Sequence, residues 1–177
     1  MEMDEDAGDG MDEGALELLA AATGEALKRA GLLLVTAESC TGGMVAQAVT
    51  SVAGSSDWFD RGFVTYSNAS KQEMLAVRAE TLEKFGAVSE QTAREMAQGA
   101  LAASRATVAL AITGVAGPGG GSADKPIGTV CLAWADRQGV LKSETRHFEG
   151  DRASVRVQSA RRSLEVLKDL LTGPQTG

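Results

Sequence analysis

The sequence predicts a three-layer α/β/α domain whose sheet is mostly parallel, with one strand antiparallel. Apolar runs alternate with helical patterns through the first two-thirds of the chain, as expected for a parallel sheet covered by helices on both faces. Two strand-like segments then follow each other directly, joined by Asp136-Arg137-Gln138-Gly139, a sequence typical of a hairpin turn. The 177 residues are also enough for one domain with a substantial core.

The individual elements follow from hydrophobic periodicity and from capping residues. Residues 13–30 have apolar positions at helical spacing, and Gly31 ends that helix. Ser67-Asn68 and Ser89 stand where N-terminal caps are expected, and Gly150-Asp151 begins the last helix. The predicted helices are thus 13–30, 44–49, 68–75, 79–84, one after Ser89 and one after Asp151, and the predicted strands are 32–35, 62–66, 106–113, 128–135 and 140–148.

Charge is unevenly distributed along the chain. The formal net charge of −7 argues against nucleic acid as a partner, because phosphate binding needs a basic surface. Many acidic residues fall within the first thirteen positions, in a Gly-rich segment without aromatic residues. We therefore expect a disordered acidic tail over residues 1–12, one domain over 13–172 and a short C-terminal tail over 173–177. The domain itself is closer to neutral, so it could hold a basic pocket for an anionic small molecule.

The composition also restricts location and cofactors. No apolar run approaches the length of a membrane span, and the N-terminus lacks the basic and apolar segments of a secretory signal. Cys40 and Cys131 stand far apart, and no cluster of His, Cys, Asp or Glu has metal-ligand spacing. A reducing, cytoplasmic location, without a metal ion or a cofactor, is therefore expected.

The strongest functional signal is the segment Thr36-Ala37-Glu38-Ser39-Cys40-Thr41-Gly42-Gly43, which links a buried strand to a helix. Such a turn exposes a hydroxyl at the sheet edge and directs backbone N–H groups at whatever binds there. Ligands of open α/β sheets bind beyond the carboxyl ends of parallel strands. The loops at Ser39, after Tyr66 and after Thr113 meet that description, so we expect them to form one site.

Ser39 is the best candidate nucleophile, but a serine needs a base. The only histidine, His147, lies at the end of a late strand, and Gly-x-Ser-x-Gly is absent because Ala37 occupies its first Gly position. Lys71 is the better base, because a position near the positive end of a helix favours the neutral amine, and Ser-Lys pairs are a known arrangement. The alternative is a solvated surface lysine. Tyr66 could relay a proton or orient the lysine, or it could simply bury its ring.

Cys40 and Glu38, the two neighbours of Ser39, each allow two interpretations. A Cys40 thiol at a helix N-terminus could be nucleophilic. However, successive residues of a turn point in different directions, and a free cysteine is commonly a small buried hydrophobe. Glu38 either holds the turn together or contacts the substrate.

The second signal is the Gly-rich loop 114–126, with five glycines over eight positions. Such a backbone can approach a ligand closely and offer N–H groups to an anion. It is neither a Walker A loop, because Pro126 follows Lys125, nor a dinucleotide fingerprint, because Ser122 stands at the last Gly position. The alternative is a flexible connection. Arg152, at the start of the last helix, could complete a phosphate site or be solvated.

Together these segments resemble the CinA C-terminal domain family, whose characterised members are nicotinamide-nucleotide amidohydrolases. The match keeps the motif order from about Gly24 to Leu171 and is far more specific than any single signature. It rests on residues 36–43 and on Ala53-Gly-Ser-Ser-Asp-Trp-Phe, Gly62-Phe-Val-Thr-Tyr-Ser-Asn, Gly86-Ala-Val-Ser, Thr113-Gly-Val-Ala-Gly-Pro-Gly-Gly and Lys125-Pro-Ile-Gly-Thr-Val.

The resemblance implies deamidation of nicotinamide mononucleotide to nicotinic acid mononucleotide and ammonia, without a metal. Ser39 would be the nucleophile, Lys71 and Tyr66 would move its proton, and backbone N–H groups near 41–43 would hold the oxyanion. The alternative is a non-catalytic nucleotide-binding module that needs neither Ser39 nor Lys71. Family members often form dimers, so a homodimer is a candidate assembly. The expected substrate contacts are Glu38, Thr41, Gly42, Gly43, Ser55, Ser56, Thr113, Gly114, Gly117, Gly119 and Arg152.

Overall fold

Helices and strands alternate along most of the chain, as the periodicity indicates. The computed structural model describes the backbone of residues 7–173 and the side chains of residues 14–173. No helix in this range is long and apolar enough to cross a membrane. The elements are α1 (Ala7–Ala30), β1 (Leu34–Glu38), α2 (Met44–Thr50), a 3-10 turn (Ser55–Asp57), β2 (Phe59–Val64), α3 (Asn68–Leu75), α4 (Ala79–Phe85), α5 (Glu90–Ala102), β3 (Val108–Gly114), β4 (Thr129–Asp136), β5 (Gly139–His147) and α6 (Arg152–Thr172).

The strands form one five-stranded sheet in the order β2-β1-β3-β4-β5. β1 pairs in parallel with both β2 and β3, and β4 pairs antiparallel with both β3 and β5. Only β4 therefore runs against the other strands, which confirms the mixed sheet predicted from the hairpin turn. The carboxyl ends of β1, β2 and β3 all lie at one edge, called here the carboxyl edge.

The sheet separates two apolar cores, and β3 shows how its side chains are divided between them. Val108, Leu110 and Ile112 point to the layer formed by α1, α2 and α6. The intervening Ala109 and Ala111 point to the layer of α3, α4 and α5. This alternation follows from the two-residue period of a strand, and the small alanines allow α5 to pack close to the sheet.

One glycine fixes how α3 is held. Gly99 of α5 lies against the carboxyl end of α3, where an added Cβ would overlap the carbonyl oxygen of Leu75. The two helices can approach this closely only because position 99 has no side chain. The contact matters for the site because α3 also carries Lys71.

Several boundaries differ from the predicted ones. α1 begins at Ala7 rather than at residue 13, so the tail expected over 1–12 is helical in its second half, where acidic residues favour a helix start. Residues 1–6 and 174–177 lie outside the described part of the chain. β1 begins two residues later than predicted and continues to Glu38, because hydrogen bonds to both neighbouring strands extend that far. β2 ends at Val64, so Thr65 and Tyr66 belong to the loop that follows it.

Candidate active site

Ser39 directly follows β1 at the carboxyl edge, with only 7% of its surface exposed. Its N–H donates to the Ile112 carbonyl of β3 at 3.0 Å, and the Gly42 N–H closes a tight turn on the Ser39 carbonyl at 3.1 Å. Gly42 and Gly43 have φ angles of 59° and 102°, a left-handed backbone that favours glycine. The two glycines therefore allow the chain to turn sharply from the strand into α2.

Glu38 anchors this turn from inside. Its buried carboxylate accepts hydrogen bonds from the Thr41 hydroxyl at 2.7 Å and from the N–H groups of Val45 and Ala46 at 2.9 and 3.1 Å. These N–H groups belong to the first turn of α2 and have no partner within the helix. Glu38 therefore holds the turn together, one of its two predicted roles, and it does not line the pocket beside Ser39.

Lys71 lies in the first turn of α3, which begins with a reciprocal cap between Ser67 and Ser70. Only 1% of Lys71 is exposed. Its Nζ lies 3.0 Å from Ser39 Oγ and donates to the Thr65 carbonyl at 2.7 Å. Burial lowers the pKa of this amine below its ordinary value. The surface-lysine alternative is therefore wrong, and the Lys71 amine faces the Ser39 hydroxyl.

A pocket of about 350 Å³ opens beside this pair, within the usual range for small-molecule sites. It brings together loops from the ends of all three parallel strands and the start of α6, as the strand-end rule predicts. Within residues 14–173, no three His, Cys, Asp or Glu side chains come together as metal ligands would. The pocket is lined by Ser39, Cys40, Tyr66, Asn68, Lys71, Ala87, Val88, Thr113, Gly114, Val115, Ala116, Gly117, Gly119, Gly120, Gly121 and Arg152.

Tyr66 and Arg152 form one wall of this pocket. Tyr66 is 67% exposed, and its hydroxyl accepts a long hydrogen bond of 3.4 Å from Arg152 Nη2. Arg152 Nη1 donates to the Gly117 carbonyl at 2.8 Å, which ties the Gly-rich loop to α6. The phenol thus shares the pocket with Ser39 and Lys71, but it is hydrogen-bonded to the guanidinium of Arg152.

Cys40 and His147, the two alternative catalytic residues, are less well placed for catalysis than Ser39 and Lys71. Burial raises the pKa of the Cys40 thiol to about 11, so it stays protonated at neutral pH and is a poor nucleophile. The same thiol packs so closely on Gly114 that a Cβ there would lie 3.2 Å from Sγ. His147 lines a different pocket, with Cys131 and Thr145, and not the one beside Ser39.

Comparison of the sequence with known protein families identifies the family of this chain. The CinA C-terminal domain profile matches residues 16–171. The chain belongs to this family. Nicotinamide-nucleotide amidohydrolase PncC of Enterobacter agglomerans is 53% identical over 156 residues, which cover 88% of this chain and 95% of that protein. The protein of the same name in Escherichia coli K12 is 51% identical over 157 residues, which cover 89% and 95%. Among solved structures, the competence/damage inducible protein CihA of Agrobacterium tumefaciens has a TM-score of 0.83 and 52% identity, over 88% and 94% of the two chains.

In this CinA-family chain, some expected contact residues lie away from the pocket. Ser55 and Ser56 belong to the 3-10 turn before β2, and the nearby Trp58 carbonyl accepts from Leu34 at the start of β1. They therefore lie near the amino ends of the strands, opposite Ser39, because a residue that precedes a parallel strand cannot reach the edge where that strand ends. Thr41, Gly42 and Gly43 shape the turn that follows Ser39 without lining the pocket, whereas Thr113, Gly114, Gly117, Gly119 and Arg152 line it.

Arg156 of α6 is not among the site residues that the sequence predicts. Its Nε donates to the Cys40 carbonyl at 3.0 Å and its Nη2 to the Thr41 carbonyl at 3.2 Å. A signal was available, because residues four apart share one face of a helix, and Arg152 was already a candidate.

Proposed function

We propose that this CinA-family protein hydrolyses the carboxamide of nicotinamide mononucleotide to give nicotinic acid mononucleotide and ammonia. The observation that carries the proposal is the buried Lys71 amine 3.0 Å from Ser39 Oγ. A hydroxyl beside a neutral amine is the arrangement that nucleophilic amide hydrolysis requires. The choice of substrate is supported by two relatives of at least 51% identity that are named nicotinamide-nucleotide amidohydrolases.

The first step is proton transfer from Ser39 to Lys71. A neutral amine has two N–H bonds and one lone pair. One N–H donates to the Thr65 carbonyl, which leaves the lone pair to take the serine proton. Ser39 Oγ then bonds to the carboxamide carbon, and the C=O π electrons move onto oxygen to give a tetrahedral oxyanion.

The oxyanion needs N–H donors that the fold has not already used. The N–H groups of Ser39, Gly42 and Met44 donate to backbone carbonyls within 3.1 Å. We therefore assign the oxyanion chiefly to the N–H of Cys40, which lines the pocket, and secondly to that of Thr41. Losing one such donor typically raises the barrier by roughly 3–4 kcal/mol.

Collapse of the intermediate releases ammonia. The lysine ammonium returns its proton to the departing nitrogen, directly or through the Tyr66 phenol, and the C–N bond breaks. Water then gives a proton to Lys71 and attacks the acyl carbon, and Ser39 leaves with the proton restored. Tyr66 is the candidate relay because it borders the same pocket as Ser39 and Lys71.

The nucleotide phosphate is assigned to the rim formed by Arg152 and the Gly-rich loop. Arg152 is exposed and stands at the first position of α6, whose N-terminus carries partial positive charge. The glycines at 117, 119, 120 and 121 border the same pocket, so their backbone can approach a ligand closely.

Ammonia release from nicotinamide mononucleotide tests the proposal. Wild type should turn over, Ser39→Ala should lose at least about a thousandfold in kcat, and Ser55→Ala should match wild type. Ser55 is a fair control because its 8% exposure is close to the 7% of Ser39 while it lies at the opposite edge. Undiminished turnover by Ser39→Ala would show that Ser39 is not the nucleophile. A wild type that binds the nucleotide and releases no ammonia would favour the non-catalytic binding module.

Tyr66→Phe tests the relay separately. If the phenol carries the proton to the leaving nitrogen, kcat should fall about 10- to 100-fold while KM changes little. An unchanged kcat with a raised KM would limit Tyr66 to forming the wall with Arg152.

A further inference from the structure

Arg156 connects α6 to the turn that follows Ser39. It is half-buried, and its guanidinium donates to two consecutive carbonyls, those of Cys40 and Thr41, at 3.0 and 3.2 Å. One helical turn earlier, Arg152 donates to the Gly-rich loop. The start of α6 therefore contacts both sides of the site, with Arg152 at the Gly-rich loop and Arg156 at the segment that carries Ser39.

The carbonyls held by Arg156 control the direction of the next N–H groups. In a trans peptide the C=O and the following N–H lie in one plane and point in opposite directions. Holding the Cys40 carbonyl towards α6 therefore points the Thr41 N–H away from α6. Holding the Thr41 carbonyl does the same for the Gly42 N–H, which donates to the Ser39 carbonyl and closes the turn.

The bond also changes the strength of these donors. A hydrogen bond from a charged guanidinium is stronger than one between neutral groups, and it polarises the peptide whose carbonyl accepts it. The N–H at the other end of that peptide becomes a better donor. A positive charge fixed beside the turn also favours negative charge that develops on the substrate oxygen.

We propose that Arg156 is a positioning residue for the oxyanion site: by holding the Cys40 carbonyl it sets the direction and strength of the Thr41 N–H, the second of the two proposed oxyanion donors, and by holding the Thr41 carbonyl it orients the Gly42 N–H that closes the turn on Ser39. The proposal rests on the proposed Ser39 nucleophile. Arg156 does not border the pocket, so it acts on the rate of acylation rather than on substrate binding.

Three variants test this role. Arg156→Met removes every donor and keeps an apolar stem, whereas Arg156→Lys keeps the charge and can reach only one carbonyl at a time. The matched control is Arg162→Met, because Arg162 lies on the same helix and makes two hydrogen bonds of 2.6 and 3.0 Å to Glu144 on β5. For each variant, kcat and KM for ammonia release, the rate of Ser39 labelling by a fluorophosphonate probe, and the thermal midpoint are measured.

We expect Arg156→Met to lower kcat and the labelling rate by about tenfold or more, with KM within about threefold of wild type, since whole-donor loss costs about 10²–10³ in kcat. Arg156→Lys should recover part of both rates. Arg162→Met should leave both rates unchanged even where it lowers the thermal midpoint. Wild-type kcat and labelling in Arg156→Met would overturn the proposal. If that variant fails to fold, Arg156→Lys decides, and a labelling rate equal to that of Arg162→Met would overturn it.

The probe separates this proposal from the amidase proposal. Labelling requires the nucleophile and its oxyanion site but not the nucleotide. A wild type that reacts with the probe and releases no ammonia overturns the substrate assignment alone, and the labelling rates still decide the role of Arg156. A wild type that does neither overturns both.

Discussion

The amine nitrogen of Lys71 lies 3.0 Å from the hydroxyl oxygen of Ser39, although 32 residues separate them along the chain. Ser39 directly follows β1 and Lys71 lies in the first turn of α3, and only 1% of the lysine and 7% of the serine are exposed. Little water is available to solvate a cation there, so burial favours the neutral amine. The first two predictions follow from this environment.

The pH profile of kcat/KM should report Lys71. In the proposed mechanism the neutral amine is the base, so kcat/KM should rise with pH and level off once Lys71 has lost its proton. Burial lowers the pKa of this amine, so the midpoint should fall below the ordinary lysine value of 10.5. Ammonia release measured from pH 5 to pH 11 gives the midpoint, with Ser55→Ala as the control that should share the profile. A midpoint at or above 10.5 would contradict the assignment.

The free energy of unfolding should also depend on the protonation of Lys71. Between the lowered pKa of folded Lys71 and the unfolded value of 10.5, the unfolded chain binds more protons than the folded one, so stability rises with pH. Lys71→Met lacks this contribution. The unfolding free energy of wild type minus that of Lys71→Met should therefore increase as pH rises through that window. The increase should be about 1.4 kcal/mol for each unit by which the pKa of Lys71 is lowered. Urea titrations at pH 7, 8, 9 and 10 measure the difference, and a constant difference would refute a lowered pKa.

Cys40→Ala should leave the enzyme active. The thiol is buried and its pKa is raised to about 11, so alkylating reagents should react slowly and turnover should persist. The small cavity should cost about 1 kcal/mol in unfolding free energy, which urea titration can measure. Loss of activity in Cys40→Ala at retained stability, or rapid inhibition by iodoacetamide that Cys40→Ala abolishes, would restore the thiol as a candidate. Cys131→Ala is the control for alkylation at the second buried cysteine.

Glu38→Gln should affect both stability and rate. The amide would place an NH₂ group against one of the donors that the carboxylate now accepts from, at Thr41, Val45 or Ala46. We expect a loss of about 1–3 kcal/mol in unfolding free energy and a lower kcat, because the turn that carries Ser39 loses its anchor. Glu144→Gln, on β5, weakens the ion pair with Arg162 of α6 and should leave kcat unchanged. A wild-type kcat in Glu38→Gln would show that the anchor is not needed for catalysis.

Local signals were sufficient for most of the fold. The caps at Ser67, Ser89 and Asp151 accept hydrogen bonds from the first turns of α3, α5 and α6, and each of these helices begins where the sequence predicts. Such caps depend on residues only three positions apart, so no tertiary information is needed. The strand-end rule likewise brought Ser39 and Thr113 to one edge.

The arrangement of the site residues depends on tertiary contacts that the sequence does not reveal. Nothing in the spacing of Ser39 and Lys71 requires them to meet, because their distance depends on how α3 packs, and Gly99 sets that packing from a third segment. The spacing from Arg152 puts Arg156 on the same face of α6, but its contacts could not be predicted because its partners are backbone carbonyls, which have no sequence signature. The family resemblance made Ser55 a candidate substrate contact, although its position before β2 indicates the amino end of that strand.

The reversal of β4 determines where the Gly-rich loop can go. Since Gly114 pairs with Val130 at the carboxyl edge, residues 115–129 form the tip of a wide hairpin and never cross the sheet. A parallel β4 would have had to start at the other edge, carrying this segment away from Ser39. β5 reverses the chain again and ends opposite Thr129, which delivers the start of α6 to the same place. The hairpin tip can thus change in length or sequence without shifting the register of any strand, so this side of the pocket can vary independently of the sheet that positions Ser39.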